Sequence, residues 1–200
     1  VSGGVYGFLN QYQNFIAQDL VVATTASGPL AQAVNFADVR IQGVEFSLDA
    51  PIVTPYGVWS FSTSGALTRG TVTKGDGPGG LKLDDTPADN ITPSKIVGAM
   101  RYTEPRGKWW AEYGIRAQGK VDRVAVTLLK SPFLIPQDLL ALDGFNVQRL
   151  AWGVNLSKQR DRVGVTFAIE NLTNKYYREQ FQFAPARGRS FTVGLNVGAF

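Results

Sequence analysis

The chain has no cysteine and no histidine. Without cysteine there are no disulfides and no thiolate metal sites. Without histidine the commonest general base and a common metal ligand are gone. A Ser–His–Asp triad is excluded however many serines are present. The sequence is therefore read as a non-enzyme, with no catalytic residue, no metal site and no cofactor. An apolar run of the roughly 18 residues that a membrane helix needs is missing too. The uncharged stretch 50–68 is broken by Pro51, Pro55, Gly57 and several Ser and Thr. A membrane is not thereby excluded, because a β-span takes only about 9–11 residues alternating polar with apolar. The chain opens at Val1 with neither Met nor a charged-then-apolar leader. It reads as a mature product or an internal fragment.

The net charge is only +4, with Lys and Arg scattered among acids rather than gathered into the stripe that nucleic acid would require. The 22 glycines and 12% aromatics suit an all-β chain with tight turns. Eight strand-like runs are predicted, at 4–17, 36–49, 57–69, 95–103, 109–120, 146–157, 162–170 and 189–199. Alternation is clearest late in the chain, where Leu150, Trp152, Val154 and Leu156 interleave with Arg149, Ala151, Gly153 and Asn155. At Gly43 the apolar phase slips from Ile41 to Val44, Phe46 and Leu48, which predicts a β-bulge.

Connections alternate in length. Segments 51–56, 104–108 and 157–161 are short, whereas 19–35, 70–94, 121–145 and 171–188 are long. Outer-membrane barrels have short periplasmic turns and long external loops. Tyr56, Trp59, Tyr102, Trp109, Trp110, Tyr176 and Tyr177 lie near strand ends, where interfacial girdles belong. Arg101, Glu112, Arg116, Arg149 and Glu170 lie within strands and imply one charged face. Residues 75–80 are glycine-rich but lack the Lys-Ser/Thr of a phosphate loop, and read as a mobile external loop. Asp84, Asp85 and Asp89 fit no calcium-loop template and read as a solvated acidic patch. Three Asn-x-Ser/Thr triplets, at Asn90, Asn155 and Asn171, read as chance.

The last stretch carries the most information. Glu170, Asn171, Leu172, Asn174 and Tyr177 are followed by Pro185, Gly188, Arg189, Phe191, Val193, Gly194, Leu195 and Phe200. This resembles the end of TonB-dependent outer-membrane receptors, an "NL.(N/D)..Y" stretch, then "P.GR.F.VGL", then a terminal aromatic. Ile41, Gly43, Val44 and Glu45 resemble the family's "I.GVE" strand. One departure is that Phe200 sits one residue beyond the apolar phase of Phe191, Val193, Leu195 and Val197.

The resemblance implies a transmembrane antiparallel β-barrel in the outer membrane of a Gram-negative bacterium. Residues 1–200 would supply the last eight strands of a plugged barrel of about 22 strands, with the plug domain outside this chain. It implies active uptake of a scarce ligand, such as a ferric siderophore, haem or cobalamin. The TonB complex would drive uptake through the missing N-terminal part, and outer-membrane lipid would surround the wall. The alternative is a complete eight-stranded barrel with a structural or adhesion role. Candidate ligand contacts are lumen-facing Arg116, Lys120 and Arg149, and Tyr176, Tyr177 and Arg187 of the last long loop. The same cations would equally suit pairing with lumen carboxylates, including Glu112 and Glu170, or with a plug.

Overall fold

The computed structural model describes residues 1–77, 81–89, 91–129, 140–156 and 163–197. Its strands are β1 (Ser2–Thr25), β2 (Gly28–Thr54), β3 (Gly57–Gly77), β4 (Leu81–Lys82), β5 (Lys95–Thr103), β6 (Trp109–Gln118), β7 (Phe145–Asn155), β8 (Val163–Glu170) and β9 (Ser190–Val197). A single helical turn, α1 (Val126–Leu129), precedes β7. The long strands form one antiparallel sheet in the order β1-β2-β3-β5-β6-β7-β8-β9, and β4 adds two residues to the end of β3. Every neighbour in the long path is a neighbour in sequence, so the sheet is a simple meander. β1 and β9 are its two edges and do not pair with each other among the described residues. This corrects the alternative of a self-contained eight-stranded barrel.

The register explains the alternation. Phe61, Met100, Tyr113, Leu150, Ile169 and Phe191 lie in one row across six strands. Two residues further along runs Ile52, Trp59, Tyr102, Ala111, Trp152, Phe167 and Val193. These rows share an apolar face, because side chains alternate with period 2. The intervening row, Ser60, Arg101, Glu112, Ala151, Ala168 and Thr192, lies on a polar face. Large side chains of the apolar face remain exposed, Phe191 at 74%. A stable protein leaves such a face bare to water only when something apolar covers it.

Four expectations are corrected. The loop at 19–35 is instead a hairpin, in which β1 and β2 stay paired as far as Thr25 and Gly28 around a turn at Ala26 and Ser27. Segment 70–94 begins as strand, since β3 runs on to Gly77; the rest of the glycine-rich run, 78–80, lies outside the described residues. Gly43 is no bulge, because Phe8, Gly43 and Thr68 stay in register. The glycine is required because a Cβ there would strike the Leu67 carbonyl and come within 2.7 Å of the Phe8 ring. Register shifts fall further along, between Tyr12 and Phe15 and between Asp38 and Val39. Lastly, Trp110 and Tyr177 leave the girdle for the polar face. Phe200 and the short turn 157–161 lie outside the described residues.

The phase slip at Gly43 has another cause. Beyond it, Ala37, Val39 and Ile41 point to the polar side of the sheet and meet Val72, Leu83 and Ala88 in a small buried core, flanked by Phe15, Ile91 and Val126. The chain after β3 folds back over these strands. Val72 donates to the Thr86 carbonyl at 2.9 Å, and Asp85 donates to that of Val72 at 2.9 Å. Val44 and Leu67 are the last apolar-face residues before the reversal, and they are paired.

Candidate functional site

The centre of the polar face carries a connected set of charges. Arg101 and Glu112 are register partners on β5 and β6, with an N···O distance of 3.7 Å. Arg149 on β7 reaches across to both sides, to Glu112 at 2.5 Å and to Glu170 at 2.6 Å. Arg101 also lies 3.8 Å from the Trp110 ring centroid. Trp110 in turn lies over Gly153, where a Cβ would come 2.5 Å from its indole nitrogen. Of the candidate cations, Arg149 thus takes both carboxylates, Glu112 and Glu170. Partly exposed pairs each contribute at most about 1 kcal/mol. Their larger effect is to fix where the guanidinium of Arg149 points.

The loop after β8 folds back over this face. Asn171 and Asn174 both have left-handed backbone, with φ 51° and 54°, a conformation that Asn tolerates better than other side chains. Asn171 is only 6% exposed. Its Nδ2 donates to the carbonyls of Lys175 at 2.8 Å and Arg187 at 3.1 Å, and its Oδ1 accepts from the Lys175 amide at 2.8 Å. The Asn174 Oδ1 accepts from the Arg189 amide at 2.8 Å. Gly188 is small because that same oxygen would lie 2.9 Å from any Cβ. The two halves of the terminal motif are thus one stapled loop.

The staple delivers Tyr177 and Glu179 to β6. Arg116 donates to Glu179 at 2.5 Å and to the Tyr177 hydroxyl at 2.7 Å. The Tyr177 ring packs on Phe145, centroids 4.2 Å apart. A cleft of about 520 Å³ opens between loop and sheet. Arg116, Arg149, Tyr177 and Arg187 line it together, with Glu112 and Glu170. Arg187 forms no ion pair among the described residues and its side chain is exposed. Lys120 is not part of this group and lines a second cleft with Arg69 and Arg123. Tyr176 lines a third with Lys175 and Arg178. Glu179 and Phe145 gave no sequence signal. Glu179 stands 63 residues from Arg116, and only the loop's fold unites them.

No cluster of three or more metal-ligating side chains occurs among the described residues. Asp84 accepts from the Gly75 amide at 2.9 Å, and Asp85 sits in a left-handed turn with φ 61°. At the other end of the sheet Trp59, Tyr102 and Trp109 form a row on the apolar face, with centroid spacings of 4.9 and 5.1 Å. The Tyr102 hydroxyl donates to the Tyr56 carbonyl at 2.5 Å. Amphipathic rings so arranged are of the kind that a membrane–water boundary favours.

The fold has known counterparts. The copper transporter OprC superposes with a TM-score of 0.71 at 22% identity, covering 98% of this chain and 28% of that one. Two forms of the FrpB iron transporter from Neisseria meningitidis superpose at 0.62 and 0.64, each at 16% identity over 98% of this chain and 28% of theirs. The chain therefore spans about 28% of the length of these structures, in their C-terminal part. No curated protein is a significant match. The family model described as TonB dependent receptor-like, beta-barrel matches residues 2–172. The chain belongs to the TonB-dependent receptor β-barrel family.

Proposed function

We propose that the full protein is an outer-membrane receptor that imports a scarce metal-bearing ligand, of the ferric siderophore, haem or cobalamin class, with energy supplied through the TonB complex. On this reading residues 1–200 are the last eight strands of a barrel of about 22 strands, and the plug and TonB-contact segment lie in the rest of the protein. The polar face is the lumen wall, and the apolar face meets outer-membrane lipid.

The observation that carries the reading is the cleft under the last loop, where Arg116, Arg149, Tyr177 and Arg187 converge. Cations beside an aromatic hydroxyl suit an anionic chelate. The copper and iron transporters of similar fold support a metal-bearing cargo. Lys120 and Tyr176, in neighbouring clefts, would meet the ligand on its way in.

The test is uptake by cells carrying the full-length gene on a deletion background. Labelled ferric chelates, haem and cobalamin are supplied in turn, with and without functional TonB. One of them is expected to accumulate only when both receptor and TonB are present. Accumulation indifferent to TonB, or of none of the three, would sink the proposal. In the responding case Arg187→Ala is expected to weaken binding by about tenfold, the loss of one charge-assisted contact.

A further inference from the structure

The last long loop is held by anchors of unequal quality. Its base is firm. Asn171 and Asn174 staple the two ends, and the Ala186 amide donates to the Tyr177 carbonyl at 2.9 Å. That bond sets residues 178–185 apart as a tip. The tip is strained. Phe181 has a left-handed backbone with φ 65°, which a bulky side chain adopts only at a cost. Its ring gains little packing in return, being 54% exposed, and Phe183 is 80% exposed. The Oε1 of Gln180 is buried without a hydrogen-bond partner among the described residues, a further cost. Two side-chain contacts hold the tip down against these costs. Gln180 Nε2 donates to the Ile91 carbonyl at 3.2 Å, and Glu179 accepts from Arg116 Nη1 at 2.5 Å.

Arg116 keeps its place without Glu179. Its Nη2 donates to the Tyr177 hydroxyl at 2.7 Å, and its guanidinium carbon lies 5.6 Å and 5.7 Å from the ring centroids of Phe145 and Tyr177. Those rings pack on each other, and Tyr177 belongs to the firm base. With the tip released, Arg116 would still line the cleft beside Arg149 and Arg187. Arg149 already holds two carboxylates. Arg116 holds one, and that one rides on the strained tip. The pair is partly exposed and so of modest strength. A second carboxylate, offering the same forked match to the guanidinium, can compete for it.

We infer that Glu179 holds the place of a ligand carboxylate at Arg116, and that a ligand bearing such a group binds by displacing Glu179 and releasing the tip. Resting on the cleft's reading as a ligand site, this narrows the ligand to one that carries a carboxylate. A ligand that takes Arg116 must first break the internal pair. Its apparent affinity is therefore lowered in proportion to the fraction of molecules already released. Deleting the Glu179 carboxylate removes a competitor and strengthens binding. A purely structural Glu179 would have the opposite effect, because loosening the loop would disorder the cleft and weaken binding.

The test uses the full-length receptor in maltoside detergent. The probe is citrate, with its trimethyl ester as the uncharged control and chloride at matched ionic strength. Binding is read by calorimetry, and release of the tip by amide hydrogen exchange across 178–184. Citrate is expected to speed exchange there in the wild type, where the ester and chloride do not. Glu179→Gln and Glu179→Ala are expected to bind citrate about two- to fivefold more tightly, the scale of a partly exposed ion pair. Their tips should exchange fast before any citrate is added. Arg116→Gln should also exchange fast, yet bind citrate at least about tenfold more weakly. Heat-modifiable electrophoresis checks that each variant is folded, and if Arg116→Gln is not, the two Glu179 variants decide alone. Equal or weaker citrate binding by folded Glu179 variants would overturn the inference. So would exchange that citrate speeds no more than chloride does. Neither readout involves import, so the displacement can hold in a receptor that carries none of the three ligands, and can fail in one that does.

Discussion

Asn171 shows how much one side chain can hold. It satisfies three backbone groups while its own backbone stays left-handed. Replacing it with Ala removes all three partners and puts a Cβ without local hydrogen bonds into that conformation. The combined cost is expected to be about 2–4 kcal/mol. Asn171→Gly loses the same bonds without the strain, so it should recover about 1 kcal/mol of that. Thermal unfolding of the full-length receptor measures both, and protease cleavage within 171–189 should accelerate in the same order. An Asn171→Ala protein with wild-type melting and cleavage would show that the staple is not what orders the loop. The importance of this residue was legible in the terminal motif. Its partners were not, because a spacing of 16 residues to Arg187 becomes a contact only after the loop has closed. Arg149 is the opposite case. Its charge within an alternating strand already implied carboxylate partners, and Glu112 and Glu170 take that role.

At the scale of elements, alternation disclosed the strands wherever one face is apolar and the other polar. It misled at Gly43, where the environment inverts rather than the register. Above the apolar band the greasy side of β2 is the inner one, because Leu81, Leu83, Ala88 and Ile91 cover it. A period-2 reading has no means of separating that inversion from a bulge. The upper part of β1 and β2 was missed for a related reason. Its turn, at Ala26 and Ser27, carries weak turn residues and follows a run whose two faces differ little. Glycine offers a paired test. At Gly43 a Cβ would meet backbone and the Phe8 ring, while at Gly7, the register partner of Val44 one step away, nothing lies within 4 Å. Gly43→Ala is expected to destabilise the barrel by about 1–3 kcal/mol through overpacking, and Gly7→Ala by less than about 0.5 kcal/mol. Urea unfolding of the full-length receptor in lipid vesicles would read the difference. Equal effects would mean that the Phe8 ring moves aside freely.

For the whole molecule, the open sheet sets the rule. β1 and β9 each leave one side of a strand unpaired among the described residues, and Phe191, Val193, Leu195 and Val197 of β9 stand 67–74% exposed. In hydrocarbon each unsatisfied backbone group costs several kcal/mol, so a sheet edge is not tolerated there and must find a partner strand. The internal ion pairs are too weak to offset such an edge. Residues 1–200 expressed alone and refolded into detergent are therefore expected to give no monomer that shifts on heating in electrophoresis. They should instead associate edge to edge, seen as a concentration-dependent ladder after crosslinking. The full-length protein under the same conditions should give a single heat-modifiable band. A monodisperse, cooperatively melting 200-residue monomer would mean that β1 and β9 can meet, and that closure does not require the rest of the receptor.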